Sequence, residues 1–299
     1  MRIKKKACGL SLKRDSPGGQ ADEAGLPFLR PITGNEMKRR LDLILKAHNG
    51  SVIYEDEKII VVEKPPQLLV LPDRYDHSLQ NLYGMVKDEF GDIFVVHRID
   101  KETSGVIVFA KDADAHANLN SQFEQRNVHK KYVAIVVGEP MEADGVIDAP
   151  ISENPSHPGV MKVNRKHGKP SVTNFSVEEL FDGYALVNAM PESGRLHQIR
   201  VHLASVGLPV MCDRVYGDGT PFFLSAVKSN YFSEGEEKPL LSRTALHAAS
   251  ITFAHPGTNE EMTFEAELPK DMRSVLNYLR KFRSSNIVGH QLEDSYRHA

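Results

Sequence analysis

Only two cysteines, Cys8 and Cys212, occur in a chain of 299 residues. They lie too far apart in sequence to make a disulfide framework, so they read as reduced thiols in a reducing compartment. No apolar run approaches the ~18 residues that span a bilayer. The longest, such as Val106 to Ala110, are strand-sized. No apolar stretch follows the basic N-terminus before Pro27, so no signal peptide is read and no membrane contact is expected. These absences fit a cytoplasmic protein. Basic charge is not in excess either: 37 Lys and Arg stand against 40 Asp and Glu, for a net charge of −3. That argues mildly against nucleic acid, which wants a basic surface. Net charge does not locate charge, however. Acidic residues gather at Glu55 to Glu57, Glu234 to Glu237 and Glu260-Glu261. Basic ones gather at Arg2 to Lys6, Lys38 to Arg40, Lys130-Lys131 and Lys162 to Lys169, so one basic face is possible. Glycine-rich phosphate loops are missing, both Gly-x-Gly-x-x-Gly and the type ending in Lys-Ser/Thr. No cofactor is expected, and the chemistry falls to side chains.

Residues 1–34 are rich in breakers and lack apolar periodicity, which predicts a disordered leader. A helix is expected from Asn35, which would cap it, to the stop at Asn49-Gly50. A hairpin is expected around Glu55 to Lys58, and a helix over Ser78 to Phe90 with Leu79 on its inner face. Strands are expected over Ile93 to His97 and Gly105 to Phe109, with a helix over Ala113 to Arg126. Further strands are expected over Tyr132 to Gly138, Val172 to Leu180, Tyr184 to Ala189, Ala245 to Phe253 and Met262 to Ala266. The stretch 151–170 reads as loops around short strands. Val201 to Val206 reads as a helix, and so does Asp271 to Phe282, which buries Met272, Val275, Leu276 and Leu279. Strands dominate without strict alternation with helices. The fold class is therefore α+β, with a mixed, largely antiparallel central sheet flanked by helices and loops, in one domain over 35–283. Residues 284–299 read as a flexible tail.

Three segments concentrate chemistry. His97-Arg98-Ile99-Asp100-Lys101-Glu102-Thr103-Ser104-Gly105 joins two apolar strands at a sheet edge. Arg98 and Lys101 beside Asp100 favour its charged form, and an ionised Asp can be a nucleophile. The more common job of such a loop Asp is to cap a turn. Gly194-Arg195-Leu196-His197-Gln198-Ile199-Arg200-Val201-His202 holds two Arg, two His and a Gln. On a helix these side chains cluster by three- and four-residue spacing. A metal site is a weak reading of the two histidines, because no Glu of a zincin motif and no Cys accompanies them, and none is expected. His129-Lys130-Lys131-Tyr132 opens a strand. Its Tyr is either a core residue or a platform for a base, with the lysines near phosphate.

Together, in this order, the segments resemble the RluA-type family of pseudouridine synthases, over roughly Val52 to Ala266. The first resembles the signature His-Arg-Leu-Asp-x-x-Thr-Ser-Gly, with Ile99 for Leu. The second resembles Gly-Arg-Thr/Ser-His-Gln-Ile/Leu-Arg-Val-His, with Leu196 at the Thr/Ser position. Lys130-Lys131-Tyr132 resembles Lys-x-Tyr, and Leu246-His247-Ala248 agrees as well. The resemblance implies a cofactor-free isomerase that converts uridines of structured RNA, ribosomal or transfer, to pseudouridine; a monomer in the cytoplasm is expected. It implies Asp100 as the attacking carboxylate, Arg200 as its ion-pair partner and Tyr132 against the target ring. Arg98 would fill the gap left by the extruded base and Ile199 would form apolar wall. His97, Lys130, Arg195, His197 and Gln198 would meet the RNA. Gln67 stands where the family's Lys-Pro-x-Gly has Gly, which predicts that a turn using positive φ there changes. Cys212 stands for the first Gly of Gly-Asp-x-x-Tyr-Gly. No S4-type RNA-binding pattern is read in residues 1–50. An RNA-binding or RNA-folding protein without catalysis is the alternative, and a hydrolase or metalloenzyme using the histidines is a third.

Overall fold

The computed structural model describes residues 34–232 and 235–284, with side chains from Leu41 onward. The expected leader and tail thus fall outside the described residues, apart from Gly34 and Ser284. Gly34 already opens a helix, and Ser284 bridges to Phe181. In chain order the elements are α1 (Gly34–Ala47), β1 (Ser51–Glu55), β2 (Ile59–Lys64), α2 (Leu82–Phe90), β3 (Phe94–Val95), β4 (Ser104–Ala110) and α3 (Ala113–Glu124). Next come β5 (His129–Val137), β6 (Asp144–Asp148), β7 (Ile151–Glu153), β8 (Met161–Val163), β9 (Val172–Phe181), β10 (Tyr184–Pro191) and α4 (Gln198–Ser205). The last are β11 (Leu246–Ala254), β12 (Glu261–Glu265) and α5 (Lys270–Phe282).

Ten strands form one sheet in the order β1-β2-β4-β11-β5-β10-β9-β6, with β3 also on β4 and β12 also on β11. β7 and β8 pair separately. β4 and β11 run parallel, while their other neighbours β2, β3, β5 and β12 pair antiparallel. The fold is α+β with a mixed, largely antiparallel sheet, as the segment order implies.

The apolar run Val106 to Ala110 lacks alternation because β4 is covered on both faces. Ile107 and Phe109 enter one core with Ile60, Val62, Leu82 and Val86. Val106, Val108 and Ala110 enter another with Ile59, Val61, Leu119 and Phe253. Burying a Val, Leu, Ile or Phe side chain contributes about 1.5–3 kcal/mol. A third core lies under α5, whose Met272, Val275, Leu276 and Leu279 are buried as their spacing predicts.

Several elements differ from expectation: β5 starts at His129 rather than Tyr132, β3 holds only Phe94–Val95, and four others depart as follows. α2 starts at Leu82 rather than Ser78, because the Asn81 side chain accepts from Gly84 N and caps the helix there. Leu79 is left 40% exposed. α1 starts one residue before Asn35, which is therefore inside the helix and not its cap. α4 starts at Gln198, three positions before its expected start at Val201. β6, a polar edge strand paired with β9, has no apolar alternation that would reveal it.

The register of the central strands positions the site. Gly105 lies beside Ala248 of β11, and Ala248 lies beside Tyr132 of β5. Tyr132 in turn pairs with Ala189, near the end of β10. The loop entering β4, the start of β5 and the loop leaving β10 therefore meet. The approach at Gly105 is close. Its φ is +114°, and a Cβ there would lie 2.1 Å from Ala248 O. Backbone cannot yield as a flexible side chain can. Gly105→Ala is expected to destabilise the protein by about 4 kcal/mol or more, measured by denaturant unfolding. A loss below about 1 kcal/mol would show that the β4–β11 contact adjusts.

Candidate active site

The residues to which the resemblance gives roles, Asp100, Arg200, Tyr132, Arg98, His97, Ile199, Lys130, Arg195, His197 and Gln198, border one cavity of about 660 Å³, a volume in the usual range of small-ligand sites. The loop 96–103 between β3 and β4 brings Asp100. β5 brings Lys130 and Tyr132. The loop after β10 and the first turn of α4 bring Arg195, His197, Gln198, Ile199 and Arg200.

Arg200 Nη1 donates to Asp100 Oδ2 at 3.0 Å, joining positions a hundred residues apart. The rest of its guanidinium is held from behind. Nε and Nη2 donate to Asp213 Oδ2 and Oδ1 at 2.6 and 2.7 Å. Such a fork-to-fork pair fixes the plane of the guanidinium. Asp213 Oδ1 also accepts from Val215 N and Tyr216 N. Burial acts to raise the Asp213 carboxyl, but the bonds and charge of Arg200, with those two amides, outweigh it and hold it below its ordinary value. The Arg200 guanidinium lies 5.1 Å from the centre of the Tyr216 ring.

His197 sits at the N-terminus of α4 with φ 54°, a left-handed conformation rare for a residue with a side chain. Its Nδ1 is hydrogen-bonded to Tyr216 Oη at 2.9 Å, and its Nε2 lies 3.9 Å from Asp100 Oδ2. Burial lowers its pKa, against the opposing pull of Asp100. Tyr132 has its phenol pKa raised, first by burial and then by the Asp100 charge, so its hydroxyl keeps its proton at neutral pH. Lys130 is pushed down to about 8 by burial. Its Nζ donates to Ser193 O at 3.2 Å. Ile199 is buried apolar wall, and Arg98 and Arg195 are exposed at the mouth.

Two of the expected RNA contacts are spent on the protein itself. Gln198 Oε1 accepts from Ser193 Oγ and Arg195 N, and its Nε2 donates to Val172 O and Thr173 Oγ1. His97 accepts from Val108 N and stacks on Phe123. Burial pushes His97 down to about 3, so it stays neutral. Both residues brace the walls. His202 does not join His197. Its ring nitrogens are hydrogen-bonded to Thr173 Oγ1 and Ala149 O.

A buried support lies under the Asp100 turn, and the sequence pattern does not name its partners. Lys64, fully buried, donates to Pro65 O, Leu68 O and Lys101 O at 2.9, 2.8 and 3.0 Å. Burial pushes its ammonium down to about 7, and the three carbonyls act against that loss of charge. Arg243 donates to Glu102 O and is locked by Asp271, while the Glu102 carboxylate accepts from Thr244 N and Oγ1. Ser104 and His247 are hydrogen-bonded at 2.9 Å. The carbonyls of positions 101 and 102 are thus fixed by two buried basic side chains, Lys64 and Arg243. The only signals for this support were the Lys-Pro and Leu-His-Ala segments, which say nothing of partners. Gln67 and Cys212 keep positive φ, 66° and 60°, so neither turn changes where the resembled family has Gly. Each carries strain of about 1–2 kcal/mol.

Comparison with known proteins gives the family of the chain. Residues 58–205 match the family model described as RNA pseudouridylate synthase. The chain is 35% identical to the ribosomal large subunit pseudouridine synthase D of Nitrosomonas europaea, over 79% of this chain and 67% of that one. It is 39% identical to the dual-specificity RNA pseudouridine synthase RluA of Vibrio vulnificus, over 69% of this chain and 78% of that one. Among solved structures, the human RNA pseudouridylate synthase domain containing 4 protein superposes with a TM-score of 0.60 at 29% identity, over 81% of this chain and 97% of that one.

Proposed function

The chain belongs to the RNA pseudouridylate synthase family, RluA type, and from that premise we propose that Asp100 opens the isomerisation of a uridine held in the cavity beside it. The protein is an RNA pseudouridine synthase, and its partner is RNA. The observation that carries the residue assignment is the 3.0 Å contact between Arg200 and Asp100 on the wall of a cavity that Tyr132 also borders.

Arg200 holds Oδ2 and aims the carboxylate, which leaves Oδ1 to attack. Attack falls on the ribose at C1′ or on the uracil ring. The N1–C1′ bond breaks and the base turns. C5 then bonds to C1′, the C5 proton leaves, N1 gains a proton, and the carboxylate is released unchanged. Product and substrate are isomers, so no oxidant, reductant or energy source enters. Tyr132 lies against the target ring as a neutral phenol. Ile199 supplies apolar wall. Lys130, Arg195 and His197 face the nucleotide. Arg98, exposed at the mouth, takes the place of the extruded base, whose removal from the stack costs a few kcal/mol. The support from Lys64 and Arg243 holds the turn while this happens, so little reorganisation is needed in the reaction.

The substrate RNA is ribosomal or transfer RNA, and the protein acts as a monomer in the cytoplasm. The large-subunit relative supports the ribosomal class. Among the described residues no helix is long and apolar enough to cross a membrane. The test is incubation of the protein with total RNA from cells that lack it, followed by pseudouridine mapping. New pseudouridine at defined uridines is expected. No new site at saturating protein would instead favour a catalytically silent RNA-binding protein.

A further inference from the structure

We propose that the RNA strand runs on from the active cavity into a second one, where His129 and Lys131 hold its phosphodiester backbone. This deepens the function proposed above and rests on it for the identity of the ligand. The second cavity measures about 470 Å³ and shares Arg126, Lys130, Pro191 and Glu192 with the first. A single chain can therefore occupy both.

The sheet explains why the path turns there. Successive residues of a strand face opposite sides. Lys130 and Tyr132 border the first cavity, so Lys131 between them faces the other side. Register sets Lys131 beside Ser250, and Met190 beside Asn174. All four residues line the second cavity. Eight of its eleven lining residues carry polar or charged side chains that a sugar-phosphate chain can meet. Glu192 is the acid in its lining, and its charge is answered. Arg126 Nη1 lies 3.5 Å from Glu192 Oε2, and Asn174 Nδ2 donates to Oε1 at 3.3 Å. Lys131 and His129 are exposed, and among the described residues neither has an acidic partner. Two unpaired side chains of basic type, one of them a full cation, line a groove that continues the active cavity, and they suit phosphate.

The test is the salt dependence of binding, because each phosphate contact releases condensed counterions. A fluorescein-labelled RNA hairpin with a uridine-rich loop is titrated by anisotropy across a potassium chloride series. The proteins compared are wild type, Lys131→Ala and Lys131→Arg. Lys131 is exposed, so its truncation leaves the fold intact, which circular dichroism checks. Lys131→Ala is expected to weaken binding several-fold near 0.15 M salt and to reduce the log–log salt slope by roughly one. Lys131→Arg, which keeps the charge, is expected to stay within about twofold of wild type on the same reasoning. An unchanged slope and affinity in Lys131→Ala would overturn the path. So would an equal loss in Lys131→Arg, which would show that charge is not what matters. The measurement needs no turnover. A wild-type protein that binds RNA with the expected slope but forms no pseudouridine would sink the activity, not the path.

Discussion

Asp100→Asn is expected to bind RNA and to form no measurable pseudouridine. The side chain keeps its volume, and its amide oxygen can still accept from Arg200 Nη1 in place of Oδ2. The turn also keeps its other anchors, because Lys64, Arg243 and Thr103 act on the backbone or on Glu102 and not on the Asp100 side chain. Thermal unfolding should therefore move little. What disappears is the ionised oxygen that Arg200 aims, and the other acids of the cavity lining, Glu124 and Glu192, come from the end of α3 and the loop after β10 rather than from the Asp100 turn. Asp213 is fully buried behind Arg200, and Glu192 lies at the rim in an ion pair with Arg126. Losses of a thousandfold or more are usual when a covalent catalyst is removed. Binding should hold or tighten, since one negative charge beside the phosphates is gone. Single-turnover formation of pseudouridine on saturating protein gives the readout. A residual rate above about 1% of wild type would remove Asp100 from the nucleophile role.

That expectation starts from residues which the sequence already singled out, and the reason is local. The Asp100 loop lies between two apolar strands, so its place at a sheet edge follows from pattern alone. α5 is equally plain, because its four buried residues recur at helical spacing. The start of α4 is not plain. Apolar periodicity becomes visible only at Val201, while the helix opens at Gln198 behind a left-handed His197. Charge pairing is the larger loss. Nothing in a one-dimensional pattern says that Asp213 grips Arg200, that Lys64 reaches the carbonyl of Lys101, or that Arg243 reaches that of Glu102. These partners are chosen by strand register and by which groups are shut away from water together. The same reasoning explains Gln198 and His97. The resemblance implied contact with RNA, but burial obliges them to satisfy backbone and hydroxyl groups nearby.

Asp213→Ala is expected to damage stability and catalysis at once, and a second variant separates the two. Asp213 is fully buried, and its carboxylate accepts from Arg200 Nε and Nη2, Val215 N and Tyr216 N. Its removal leaves most of a buried guanidinium with Asp100 as its remaining anion. Breaking a buried pair from one side costs about 3–5 kcal/mol, which in a chain of this size lowers Tm by roughly 10 °C. The sign of the pH dependence follows from the lowered carboxyl. Its contribution is present in full above the ordinary Asp value, near 3.9, and is lost as pH falls through the depressed folded value. The gap in stability between wild type and Asp213→Ala should therefore narrow in strong acid. In the double variant Arg200→Met with Asp213→Leu, both charges go and apolar volume replaces them. Such exchanges are often neutral or stabilising, so Tm should recover while pseudouridine formation does not, because nothing aims Asp100. Recovery of activity together with Tm would mean that Arg200 only fills space beneath the cavity. Failure of Tm to recover would mean that the network is needed for the fold itself, beyond the orientation of one carboxylate.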